Sequence, residues 1–224
     1  MADRLKSGAS GILFSVSDSS RVYLRRGDSG ALAEASLLDG VSLDAVKETE
    51  ALWQPFLVQA LEQARAAGAI SFDLPEHKHW DWLRKARCAL VRQNFRLLGV
   101  VCDGEMQGLM ILRTDHTSRL VDTLGEPLVY VDYLAAAAPW NLRGLAPVPR
   151  FAGVGRVLIG AAVQVSQSLG WSGRTGLHSL PQAESFYRHT CGMQDLGRDD
   201  NYDKLRYFEL SAADADTFLQ GGSR

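Results

Sequence analysis

The chain has 224 residues, 46% of them hydrophobic, which is enough to bury one sizeable core as a single domain. Its formal net charge is −2 with no basic block, a balance that excludes nucleic acid as the main partner. No apolar run approaches the roughly 20 residues a membrane-spanning helix needs, so no membrane partner is expected.

Residues 1–10 (MADRLKSGAS) are small and polar, are expected to fray, and lack a signal-peptide apolar core. Ile12–Val16 and Arg21–Arg26 read as short strands around Asp18-Ser19-Ser20, and a Gly- and Ala-rich stretch follows. Leu43, Val46, Trp53, Leu57, Leu61 and Ala64 recur at helical spacing behind Ser42, a suitable N-cap, and Pro55 should kink or split that helix. A second helix is expected over about Glu76–Arg92, with Trp80, Leu83, Arg87 and Leu90 along one stripe. LLGVVC, Asp103-Gly104 and EMQGLMILRT form a hairpin signal, because Asp-Gly supplies the positive φ angles of a two-residue turn. Leu128–Ala136 is another strand, and Pro139, Pro147 and Pro149 punctuate the connection after it. Cys88, Cys102 and Cys191 show neither pairing nor metal-ligand spacing. They read as free thiols of a reducing compartment, so a cytoplasmic protein without a metal is expected.

The stretch Arg150-Phe-Ala-Gly153-Val-Gly155-Arg156 then opens a helix with Val154, Val157, Leu158, Ala161, Ala162 and Val165 on one face. Two glycines one residue apart let backbone approach a bulky anion, and the following helix N-terminus offers free N–H groups and its positive dipole end. Arg150 and Arg156 flank the turn and can add charge-assisted bonds to phosphate. Such a cradle suits a pyrophosphate, although the same pattern also occurs as plain close packing. Arg174–Ser179 is a short strand, Pro181–Thr190 a short helix with proline in its first turn, and Tyr207–Leu210 a last strand. Helices, hairpin, strand, turn-helix, strand, helix and strand pack as a mixed α/β sheet flanked by helices.

In this order the residues resemble the GCN5-related N-acetyltransferase superfamily (GNAT). YVDYLAAAAP looks like its fourth strand, RFAGVG like its Arg/Gln-x-x-Gly-x-Gly/Ala pyrophosphate loop, and LPQAESFYRHTCGM like its last conserved segment. The likeness covers about residues 97–211, the acetyl-CoA-binding core, whereas residues 11–92 match only as a strand and two helices bordering an acceptor site. It implies one domain over 11–211, a tail over 212–224, and a mostly antiparallel sheet with a splayed parallel strand pair holding acetyl-CoA. The pantetheine arm would pair with backbone near Leu134, Ala135 and Ala136. The pyrophosphate would sit on the amides of Ala152, Gly153, Val154, Gly155 and Arg156, beside Arg150. The implied reaction is direct acetyl transfer to an amine-bearing acceptor of unidentified kind. Dimers are common in such folds, and no residue demonstrates one here. Two departures stand out: WNLRGLAPVP separates Pro139 from Arg150 where the family has only a few residues, and Leu180 replaces the usual asparagine.

Tyr187 aligns with the tyrosine that protonates the departing thiolate, a role its pKa of about 10 allows, the alternative being a helix residue that packs on the sheet. Tyr130, Asp132 and Leu134 alternate onto one strand face, and Asp132 could take the amine proton directly or through water. His178 is a second base candidate by its ordinary pKa near 6.5. Trp82 or His79 could shape the acceptor pocket together with Tyr130, while Trp80 reads as core. A nicotinamide or flavin oxidoreductase fits poorly, because Leu158 stands where a third glycine belongs. A non-catalytic acyl-CoA-binding sensor or interaction module is the other alternative.

Overall fold

Alternating burial along the strands, and helical stripes between them, set the element order. The structure, a computed structural model, describes residues 18–66, 68, 80–135, 139–141 and 148–221. Strands β1 (Asp18–Arg26) and β2 (Leu32–Asp39) precede helices α1 (Leu43–Ala66) and α2 (Trp82–Leu90). The hairpin β3 (Phe95–Cys102) and β4 (Glu105–Thr117) is followed by β5 (Pro127–Ala135), the two-residue β6 (Phe151–Ala152) and α3 (Val154–Ser168). Then come β7 (Thr175–Ser179), β8 (Gln194–Arg198), β9 (Arg206–Leu210) and α4 (Ala212–Gly221). One sheet runs β6-β1-β2-β3-β4-β5-β7-β9-β8. Every neighbouring pair in it is antiparallel except β5 and β7. The mixed, mostly antiparallel sheet with one parallel pair and flanking helices is therefore present.

Each face of the sheet carries its own core. Leu158, Ile159 and Ala162 of α3, with Ala215 and Phe218 of α4, pack on Val100, Leu112, Val129 and Phe208. On the other face Val46 and Trp53 of α1 and Trp82, Ala86 and Ala89 of α2 cover Leu97, Met106 and Leu109. Burying the leucine, isoleucine, valine, methionine and phenylalanine side chains among these supplies about 1.5–3 kcal/mol each before entropy is charged against it.

Several elements differ from their sequence patterns. The Ala-rich stretch contains β2, whose inward residues Ala33, Ala35 and Leu37 are buried, but the two alanines are too small to mark the alternation strongly. Ser42 Oγ accepts from Ala45 N at 3.2 Å and caps α1 as expected. Pro55 does not split the helix, because it and Ala51, whose carbonyl loses a donor there, both face solvent. Helix α2 starts at Trp82, where Asp81 Oδ1 accepts from Arg84 N at 2.7 Å, and its buried stripe is Trp82, Ala86 and Ala89. Arg87 and Leu90 of the expected stripe are exposed. Residues 212–221, read as a tail, form α4 in the core, and β8 was not legible. The strand expected at Ile12–Val16 lies outside the described residues.

The hairpin turn is as expected, with Asp103 at φ 52° and Gly104 at φ 77°. Just beyond it the β3–β4 register shifts: Val100 faces Gly108 and Val101 faces Met106, leaving Gln107 as the extra residue. Its fully buried side chain donates to the carbonyls of Cys102 (3.2 Å) and Glu105 (3.1 Å). Its Oε1 accepts from Trp140 Nε1 at 2.9 Å and Asn141 Nδ2 at 3.0 Å. Asn141 Oδ1 accepts from Phe151 N at 2.8 Å, and Trp140 O from Arg150 N at 3.3 Å. The long segment between Pro139 and Arg150 is thus pinched shut at its base, and the glycine turn stays in place despite it. Gln107→Leu strands two buried donors, each worth about 1–3 kcal/mol. The expected result is a drop of several degrees in Tm by calorimetry, and an unchanged Tm would contradict this role.

Candidate functional site

Strands β5 and β7 pair only at Val129–Thr175, Tyr130–Gly176 and Val131–Leu177, although they continue to Ala135 and Ser179. They part where β5 bulges. On the β4 side Ile111 faces Tyr133 and Leu112 faces Val131, so Asp132 has no partner. An extra residue bends a strand and shifts its phase. Before the bulge Val129 and Val131 pack toward α3 while Tyr130 joins Leu128 and Tyr207 on the opposite face. After it Leu134 packs toward α3, and Tyr133 and Ala135 turn to the α1–α2 core. The expectation that Tyr130, Asp132 and Leu134 share one face therefore fails at the bulge.

The glycine turn lies beside this opening. Gly153 adopts the left-handed region at φ 96°, which side chains disfavour, and Val157 N makes the first helical bond to its carbonyl at 3.0 Å. The amides of Val154, Gly155 and Arg156 thus have no intrahelical acceptor. Beneath them Gly108 gives the clearance: a Cβ there would stand 2.6 Å from Val154 Cγ1. Gly155 faces the cleft, Val154 is core, and exposed Ala152 pairs with Arg25 through β6. The flanking arginines, expected on phosphate, point elsewhere. Arg150 pairs with Glu105 at 3.0 Å and lies over the Trp140 ring at 4.6 Å. Arg156 donates to the carbonyls of Thr190 (3.2 Å) and Phe218 (2.7 Å). Ala136 lies outside the described residues.

A cleft of about 660 Å³ fills the space between the parted strands, with Leu134, Gly155, Leu180, Phe186 and Tyr187 on its walls. Tyr187 sits in a single π-turn closed by Cys191 N donating to Phe186 O at 3.0 Å. Such turns re-aim one side chain out of helical phase. Its ring packs edge-on to Phe186, its hydroxyl bonds to no described residue, and burial raises its pKa well above the usual phenol. It stays protonated across the physiological range. Leu180 makes part of the wall apolar.

A second cleft of about 500 Å³ opens between α2 and the sheet, and Trp80, Lys85, Asp132 and Tyr133 line both. Half-buried Asp132 stands at the junction. Burial raises its carboxyl above the ordinary range, opposed by Arg113, whose Nη1 is 3.9 Å away, and by His116 and Lys85. The Lys85 ammonium lies 3.3 Å from the Tyr133 ring centre and 5.0 Å from that of Trp80, and burial lowers its pKa. Trp82, a pocket candidate by sequence, is instead buried in the α1–α2 core, and Trp80, expected in the core, lines the clefts. The cause is the cap at Asp81: Trp80 precedes the helix and escapes its stripe. His79 lies outside the described residues.

His178 is fully engaged. Its Nε2 lies 3.1 Å from Asp199 Oδ2 and its Nδ1 2.7 Å from the Tyr130 hydroxyl, with the ring stacked on Tyr202 at 3.9 Å. Asp199 is held down to about 2, chiefly by Arg119, so it accepts from Nε2–H while Tyr130 donates to Nδ1. Burial also lowers the His178 pKa, keeping it neutral. Neither nitrogen is free to take an amine proton, which removes His178 as a direct base and leaves it holding Tyr130. Tyr130 is further stacked on His116 at 4.1 Å. Lys85, Tyr133 and Tyr202 were missed from sequence, since only the bulge and the β8–β9 connection bring them here. Among the described residues no group of three or more His, Cys, Asp or Glu is placed to hold a metal ion, and no helix is long and apolar enough to cross a membrane.

No family model and no curated protein matches the chain. Among solved structures, an uncharacterized protein from Bacillus halodurans superposes with a TM-score of 0.53 at 11% identity, over 90% of this chain and 95% of that one. An N-acyl amino acid synthase, FeeM, from uncultured soil microbes gives 0.48 at 12% identity, over 82% and 93%. An aminoglycoside acetyltransferase from an uncultured soil metagenomic sample gives 0.36 at 16% identity, over 69% and 85%. The first is a likeness of fold alone, and the other two are too distant to add to it.

A carboxyl whose folded pKa is raised costs stability above that pKa, where the native state must carry the charge. Below the ordinary carboxylate value both states are protonated and the cost vanishes. Asp132→Asn is therefore expected to melt at or a few degrees above wild type at pH 7 to 8 and level with it near pH 3, by pH-resolved thermal denaturation. A lower Tm at neutral pH would show that the Arg113 contact outweighs burial.

Proposed function

We propose that the chain is an acyl-CoA-dependent N-acyltransferase, with acetyl as the default acyl group and an amine as acceptor. The observation that carries this reading is the cleft between β5 and β7. It brings the backbone edge of residues 132–135, which β7 does not pair, the α3 N-terminus at Gly155 and the Tyr187 hydroxyl into one space. An acyl-CoA fits that arrangement. Its pyrophosphate suits the amides of Val154, Gly155 and Arg156, which need an acceptor, and its extended pantetheine arm suits an open strand edge. The turn does this through backbone, since both flanking arginines are occupied.

The thioester supplies an activated acyl carbon. The remaining chemistry concerns protons. An acceptor arriving as ammonium loses one proton to Asp132, whose raised pKa makes it a stronger base than an ordinary carboxylate, and Asp132 passes it to solvent. The neutral nitrogen bonds to the acyl carbon as the carbon–sulfur bond breaks. Tyr187 gives its proton to the departing sulfur and is refilled by the second proton leaving nitrogen. The balance is ammonium plus thioester to amide, free thiol and one proton. His178, Asp199 and Arg119 hold Tyr130, which keeps the bulge flank rigid.

Acetyl-CoA, and not NADH, is expected to raise the Tm, and a broad amine panel to release thiol above background. Tyr187→Phe should lower kcat by about 10²-fold with its Tm kept. Thiol release at background with every amine, or unchanged in Tyr187→Phe, would overturn the reading.

A further inference from the structure

The second cleft carries more positive charge than proton transfer at Asp132 requires. Arg84, Lys85, Arg92 and Arg113 line it against two acidic side chains, Asp81 and Asp132. Asp81 is committed to capping α2. Arg113 is held by Asp115 through Nε (3.1 Å) and Nη2 (2.9 Å), and Lys85 lies over the Tyr133 ring. Arg84 and Arg92, in contrast, form no ion pair with any described residue. The Arg92 guanidinium lies 5.3 Å from the Phe95 ring centre, on a ring that Arg113 also approaches at 5.2 Å. The cleft therefore has an anionic point at its inner end, where it meets the acyl side, and two guanidinium groups, one on α2 and one just past its end, that pair with no carboxylate of the described residues.

We infer that the acceptor is an amino acid or similarly small amino-carboxylate, its amine at Asp132 and its carboxylate on Arg84 and Arg92. A simple amine would enter this cationic cleft as a like charge, whereas a zwitterion matches both ends. Guanidinium presents a planar fork of donors that suits a carboxylate. The volume of about 500 Å³ suits a small molecule, and Trp80, Tyr133 and Phe95 offer an aromatic lining to its side chain. This rests on the acyl-transfer reading only for the direction in which the amine points.

The test compares glycine, leucine and phenylalanine with their carboxamides, in wild type and in Arg84→Gln/Arg92→Gln. Binding is measured by calorimetry without acyl donor, and thiol release with acetyl-CoA. At least one amino acid should bind about tenfold more tightly than its amide, about 1.4 kcal/mol. That preference should fall below about threefold in the double variant, with a matching rise in KM. Amides that bind as well as the acids, acids that do not bind, or a preference the double variant keeps would each overturn the assignment. Carboxylate-selective binding without thiol release would instead sustain the amino-carboxylate as the ligand of this cleft and sink the acyl-transfer reading.

Discussion

The cleft depends on one residue that has no strand partner. A strand covered on both faces cannot change which side chains face which core without an insertion, because its period is two. Asp132 is that insertion. It lets Val129 and Val131 pack under α3, and then lets Leu134 do the same one residue out of phase. The bend that follows separates β5 from β7 after Val131–Leu177 and leaves the backbone edge open. It also sets a carboxyl at the point where two clefts meet.

Around this bulge the charges are fixed in two linked chains. Arg113 and Asp115 hold His116, whose ring stacks on Tyr130, and Arg119 and Asp199 hold His178, which accepts from Tyr130. Each of these two carboxylates is paired and each imidazole is bonded, so the groups around Asp132 are held in place. Such preorganisation is what a buried polar network can supply when every member is satisfied. Gln107 does for the glycine turn what these chains do for the strand: by closing the base of a long connection it holds α3 against β4.

Much of this was legible in the residues. The Asp103-Gly104 hairpin, the α3 stripe and the Gly153 turn each carry a local signal, and their order gave the sheet. Strand β2 and the α2 stripe were not, because alanines do the packing there. The bulge leaves no mark in YVDYLA, so strict alternation put Tyr130, Asp132 and Leu134 together. The roles of Trp80 and Trp82 were exchanged for a similar reason: only the cap at Asp81 decides which ring enters the helix. The arginines flanking the turn were attractive for phosphate by sequence, but Glu105 and two backbone carbonyls, distant in the chain, claim them.

The central claim is that an acyl-CoA lies between β5 and β7 with its sulfur at Tyr187. A crystal structure with coenzyme A tests this most directly. Predicted are pantetheine hydrogen bonds to the backbone of residues 132–135, pyrophosphate on the amides at the start of α3, and the sulfur within hydrogen-bonding reach of the Tyr187 hydroxyl. Coenzyme A bound elsewhere, or no binding at millimolar concentration, would contradict it.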